Sequence, residues 1–268
     1  MVAAPAAAVT VRIAGSDLLG APFSRALGDS ARRSGAELQL ELRGTRPGLE
    51  DLRSGRADAG LLFLPPGESP PAEQFFVWTI GWHAVAVVVP ENSPLTRITL
   101  GQLAEAFGGV AARPGEDRPA SAPLIPHALA SPLSLPLFQR VVLSNGALKP
   151  EVVVNDAPAQ FFPGLGASTN TIGLMPAGIA VPAGFKFLPV ASDRDAPSRL
   201  PVADSPDQGD YVLQMPLQLV FRRQSVPRIA DLVRFLLSGE GARALESAGL
   251  APVPSGTRAR RLFELERL

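Results

Sequence analysis

Apolar and polar residues alternate through Leu38, Leu40 and Leu42, the period of a strand with one face exposed, and the alternation stops at Gly44-Thr45-Arg46-Pro47-Gly48. Leu49 and Leu52 are then spaced for one face of a short helix. Gly55 can end that helix in the left-handed conformation, and residues 57–63 form an apolar run of strand length. The stretch 40–63 thus reads as strand, glycine-rich turn, helix, strand. Such a turn aims backbone N–H groups and the positive helix end at one point, which attracts an anion.

The same pattern precedes it. Val9, Val11 and Ile13 alternate, Gly15-Ser16-Asp17 breaks the strand, and Pro22 opens a helix with Phe23, Ala26, Leu27, Ser30 and Ala31 on one face, ended by Gly35. Parallel strands would set both turns along one sheet edge. A proline-rich loop over 64–71 blocks a third helix. Residues 78–89, with an unbroken apolar run over 84–89, suit a strand buried on both faces.

Beyond a turn at 90–94, Thr99-Leu100-Gly101-Gln102 forms a capping box before a helix through Leu103 and Phe107, closed by Gly108-Gly109. Residues 110–123 read as a polar loop. Leu137, Phe138, Val141 and Val142 have helical spacing, and the N-cap falls at Ser134 because Pro136 is tolerated only in a first turn. Short strands are expected over 152–154 and 171–174, with no assignment for 157–166, and a loop over 189–209. A strand over 217–221 precedes an amphipathic helix carrying Ile229, Leu232, Val233, Leu236 and Leu237. Helices over 242–248 and 257–268 complete the chain, the last with its arginines toward solvent.

Composition adds limits rather than a function. At 268 residues and 46% hydrophobic the chain can bury a core without disulfides or metals. Lys+Arg and Asp+Glu both number 25, so no net charge argues for nucleic acid or a membrane surface. Lysine occurs only at Lys149 and Lys186, and this arginine bias discounts any lone arginine as a signal. Zero cysteine excludes thiolate chemistry and leaves the compartment open. The opening residues 1–8 resemble the small-residue stretch beside an export cleavage site, as in a trimmed mature chain, and no run approaches the roughly 18 apolar residues of a membrane helix.

The order of segments resembles the phosphate-binding component of ABC transporters, a family of type II periplasmic solute-binding proteins. The residues that carry the resemblance are Ala14-Gly15-Ser16 before a helix, Gly44-Thr45 with Gly48-Leu49, LRSGRADAG at 52–60, and 85–89 followed by 92–95. ITLGQLAEAFGG at 98–109, 171–174 and FLLSGEGARALESAGLAP at 235–252 continue it, so the match spans nearly the whole chain. The resemblance implies an α/β, two-lobed fold, each lobe a mixed sheet flanked by helices with a cleft between lobes. Lobe one would comprise 1–89 and 213–268 and lobe two 90–212, with crossings near 89–94 and 211–216. It implies no cofactor, and a small anionic or polar solute captured by lobe closure for an ABC permease, in a periplasmic or extracellular monomer.

Carried over residue by residue, the ligand positions depart from the family. The first turn's threonine hydroxyl and following amide match Leu18 and Leu19, so that hydroxyl is missing. Thr45 can supply the second turn's hydroxyl. Phe63 stands where the family has a proton-accepting aspartate, while Asp58 reads as ordering a strand end. The third loop has His127 and then Ser131 to Ser134; only Ser134 matches the family's threonine, and the family's arginine is absent. Ser255-Gly256-Thr257-Arg258 repeats the family's missing string but reads as a cap for the terminal helix.

The expected ligand-binding residues are Ser16, Asp17, Leu18, Thr45, Arg46, His127, Ser131 and Ser134, with Arg46 either restoring positive charge or standing as a solvated arginine, and His127 either gaining a proton beside an anion or serving as a loop residue. Asp17 would repel an anion and could instead cap the first helix. The alternative is a degenerate binding fold acting as a sensory or protein-interaction domain. An enzyme is disfavoured: two histidines, no cysteine and no HExxH, G-x-S-x-G or Walker motif leave few groups for catalysis.

Overall fold

A computed structural model describes residues 9–64, 70–109, 123–201 and 210–268. The loops expected over 64–71, 110–123 and 189–209 lie partly, and the opening segment 1–8 wholly, outside the described residues. The chain divides into two compact units: residues through Trp82 with Met215–Leu268, and His83–Gln214.

The first elements are strand β1 (Val9–Gly15), helix α1 (Gly20–Arg33), β2 (Ala36–Leu42), α2 (Thr45–Arg53), β3 (Ala59–Phe63), β4 (Phe76–Pro90), β5 (Ile98–Thr99) and α3 (Leu100–Gly108). Then come β6 (Ile125–Leu129), α4 (Ser134–Val142), β7 (Val153–Asn155), α5 (Pro158–Leu165), β8 (Thr171–Pro176), β9 (Phe185–Phe187) and β10 (Val190–Ala191). The last are β11 (Gln214–Phe221), α6 (Val226–Leu237), α7 (Gly239–Ser247), β12 (Ala251–Pro252) and α8 (Ser255–Leu265).

In the first unit β1 runs parallel to β2 and β3, while β11 lies antiparallel to β3, giving a mixed sheet. The burial of β2 alternates residue by residue, as its period requires. Leu52, Ala57, Leu62, Phe75 and Val220 pack with Ala14 into a core. Asp58 accepts the Arg12 N–H at 2.9 Å, and the side chains of Arg12 and Arg228 reach it at 3.4 and 3.2 Å. That carboxylate orders the start of β3 as the sequence led us to expect. A second buried carboxylate, Asp51, is held by Arg43 at 2.7 Å and Arg56 at 2.8 Å.

In the second unit β4 is antiparallel to β8, which continues in parallel through β6 to β7. Residues 83–90 of β4 are all buried, and Ala86 and Val88 pack against Leu129, Phe161, Leu165 and Met175. Tyr211 donates its hydroxyl to the Val85 carbonyl at 2.7 Å. No described helix is long and apolar enough to cross a membrane.

Several boundaries differ from expectation for identifiable reasons. α2 begins at Thr45 rather than near Leu49, because Gly44 takes φ 114° and turns the chain at once, and Pro47 needs no N–H partner in a first turn. The cap of α4 comes from Ser131, whose Oγ accepts the Ser134 N–H at 3.1 Å; Ser134 is already helical. The unassigned 157–166 segment holds α5, started by Pro158 and anchored by buried Phe161 and Leu165. α7 starts at Gly239, where Ser238 Oγ accepts the Gly241 N–H. α8 follows Pro254 with no side-chain cap, so Ser255 sits inside the helix instead of capping it. Its arginines do not all face solvent, since Arg261 lies over the Trp78 ring.

Candidate functional site

Two of the expected loops meet because their glycines let the backbones touch. β1 and β2 end together, Gly15 opposite Leu42, and the Gly44 N–H donates to the Gly15 carbonyl at 3.0 Å. A β-carbon on Gly48 would lie 3.1 Å from the Gly15 nitrogen, so α2 seats its first turn directly on the end of β1. The turn carrying Ser16, Asp17 and Leu18 and the helix start carrying Thr45 and Arg46 thereby leave from adjoining backbone.

Within that group the roles differ. Ser16 is 1% exposed, and its hydroxyl accepts the Leu18 N–H at 3.3 Å, capping a 3-10 turn over Asp17–Leu19. Asp17 and Leu18 are exposed, and Leu19 is buried in the core. Thr45 is half-buried at the first position of α2, a helix without a side-chain cap, and the Thr45 and Arg46 N–H groups have no acceptor among the described residues. Arg46 is exposed and makes no ion pair among the described residues, unlike Arg12, Arg43, Arg56 and Arg228, which neutralise Asp51 and Asp58. Two amides, a hydroxyl and an uncommitted guanidinium on one edge can hold the oxygens of an anion or a polar solute.

The other unit assembles a second group. Ser131 and Ser134 are joined through the α4 cap, and Ser134, 1% exposed, turns its hydroxyl to His83 Nε2 at 3.1 Å. Burial pulls the His83 pKa down to about 4, so this imidazole is neutral at neutral pH. The sequence reading missed His83, although it is one of two histidines and interrupts an apolar strand where only a paired polar group is tolerated.

His127 is not shown joining that cluster. It sits on β6, 7% exposed, its ring so close to α5 that a β-carbon on Gly164 would lie 3.0 Å from Cε1. Its Nδ1 has no partner among the described residues, and burial lowers its pKa from the usual histidine value, which works against the positive charge expected of it. Among the described residues no cluster of three His, Asp or Glu could hold a metal.

No family profile matches the chain, and no curated protein matches it in sequence. Solved structures match it in three dimensions. A possible phosphate binding protein from Planctomyces limnophilus superposes with a TM-score of 0.77 at 17% identity, covering 97% of this chain and 98% of that one. PstS from Borrelia burgdorferi gives 0.73 at 14% identity over 91% and 99% of the two chains. An ABC-type phosphate transport receptor from Vibrio cholerae gives 0.64 at 16% identity, also over 91% and 99%. Likeness at these identities extends to the fold and not to the ligand. The chain has the two-lobed α/β architecture of type II periplasmic binding proteins, with mixed sheets flanked by helices.

Proposed function

We propose that the protein is a non-catalytic, extracytoplasmic solute-binding protein that captures a small oxyanion or other small polar solute by two-lobe closure and presents it to an ABC permease. The observation that supports this most is the uncapped start of α2, where the Thr45 and Arg46 amides, the Thr45 hydroxyl and the Arg46 guanidinium stand beside the first strand-to-helix turn. Ser16 shapes that turn, and Leu18 and Asp17 border it; within the second unit, Ser131 offers a half-buried hydroxyl of its own. An anion at α2 would complete the amide bonds and meet one positive charge, with Asp17 favouring a solute that also carries donor groups.

A second reading, a binding fold that has lost its solute and serves as a sensory or protein-interaction domain, is favoured by Leu18 standing in place of a hydroxyl and by Ser134 being taken up by His83. Isothermal titration with phosphate, sulfate, molybdate and a panel of small polar metabolites separates the two. Saturable one-to-one binding of any of these supports the first reading; absence of binding across the panel supports the second.

A further inference from the structure

We propose that His83 is a positioning residue for the solute site of the second unit: by holding the Ser134 hydroxyl it fixes the first turn of α4 and, through that turn, the placement of Ser131. The claim about the turn stands on geometry, and its link to a solute rests on the binding reading above. His83 is 3% exposed on a strand whose neighbours over 84–89 are all apolar. A buried imidazole there costs free energy unless its polar atoms are satisfied, and the group that satisfies Nε2 is a side chain 51 residues away in sequence.

The bond joins the middle of β4 to the first helical residue of α4. Ser134 is pinned from both sides, its hydroxyl on His83 and its N–H on the Ser131 Oγ at 3.1 Å. Ser131 is the half-buried member, so the cluster places one hydroxyl near solvent on two buried supports. A serine hydroxyl has one donor and two acceptor positions. Accepting the Ser134 N–H leaves the Ser131 proton free to donate to a solute oxygen. Because the imidazole is neutral, the pair fixes direction without adding charge.

The test compares wild type with His83→Leu, His83→Gln and Ser131→Ala. Leucine fills the space without a polar atom, and glutamine keeps an amide near the Nε2 position. Hydrogen exchange of the Ser134 amide reads the turn directly. We expect it to quicken about tenfold in His83→Leu, the worth of roughly one buried hydrogen bond, while later α4 amides and the melting temperature change little, and to recover in His83→Gln. With inorganic phosphate as probe, affinity should fall severalfold in His83→Leu and Ser131→Ala and return in His83→Gln.

Unchanged Ser134 exchange in His83→Leu overturns the proposal. So does wild-type phosphate binding that His83→Leu leaves intact. If exchange responds as expected but wild type binds no phosphate, the positioning of the turn is supported and the failure belongs to phosphate as the solute.

Discussion

Replacing Gly48 with alanine sets two effects of opposite sign against each other. Alanine in a helix interior is worth about 1 kcal/mol over glycine, so propensity alone predicts a gain. The structure opposes it: the new β-carbon would lie 2.9 Å from Leu62 Cδ2, 3.1 Å from the Gly15 nitrogen and 3.2 Å from the Gly15 α-carbon. Leu62 is fully buried and the other two atoms are backbone, so relief requires α2 to lift from β1. Overpacking of this kind costs roughly 1–3 kcal/mol, and the net expectation is a loss of about 1 kcal/mol. Gly28→Ala in α1 is the control, since its β-carbon would meet only the Arg32 side chain at 3.8 Å and should gain roughly 0.5–1 kcal/mol. Both tryptophans, Trp78 and Trp82, belong to the unit that contains these glycines, so urea unfolding followed by fluorescence reports that unit. A Gly48→Ala protein as stable as wild type, or more stable, refutes the close seating of α2 that brings the two turns together.

Asp51 should give a pH-dependent contribution. Its hydrogen bond from Arg56, with help from Arg43 and against the cost of burial, holds the carboxyl below the usual range. A depressed carboxylate stabilises the fold above its unfolded pKa, near 4, and loses that contribution as pH falls through the folded value. Because both arginines are 58% exposed, Asp51→Asn is expected to cost only about 1.5 kcal/mol at pH 7. The gap in urea midpoint from wild type should narrow below about pH 4, and a constant gap would contradict the pairing. Tyr211, the only tyrosine, has its pKa raised by burial while its hydroxyl holds the Val85 carbonyl. Its ultraviolet titration should therefore show no phenolate before alkaline unfolding, and ordinary titration near about pH 10 in the folded protein would disprove its burial.

Much of the architecture is legible in local pattern. The alternation of β2, the all-apolar run of β4 and the Thr99/Gln102 capping box, with both reciprocal bonds present, are properties of neighbouring residues. The departures arise where distant contacts or backbone angles decide. Nothing near Leu49 announces that Gly44 will take φ 114° and start α2 four residues early. Pro136 favours Ser134 as the cap in sequence, yet the Ser131 Oγ accepts the Ser134 N–H while the Ser134 hydroxyl is paired with His83, a residue 51 positions away. α5 was hidden by its two prolines, one tolerated at the start and the other, Pro163, exposed near its end. Among the cations, Arg43 and Arg56 look no different from Arg46 in sequence, yet they are committed to Asp51 while Arg46 is not.

The proposed solute capture rests on the start of α2, and its amides can be observed one at a time. In a heteronuclear NMR titration with the tightest-binding solute of the oxyanion and metabolite panel, the Thr45 and Arg46 N–H resonances should shift saturably with the calorimetric affinity, and Arg46→Gln should weaken that affinity by on the order of tenfold. Binding that leaves both resonances unmoved, or a panel in which no solute moves them, would contradict the account.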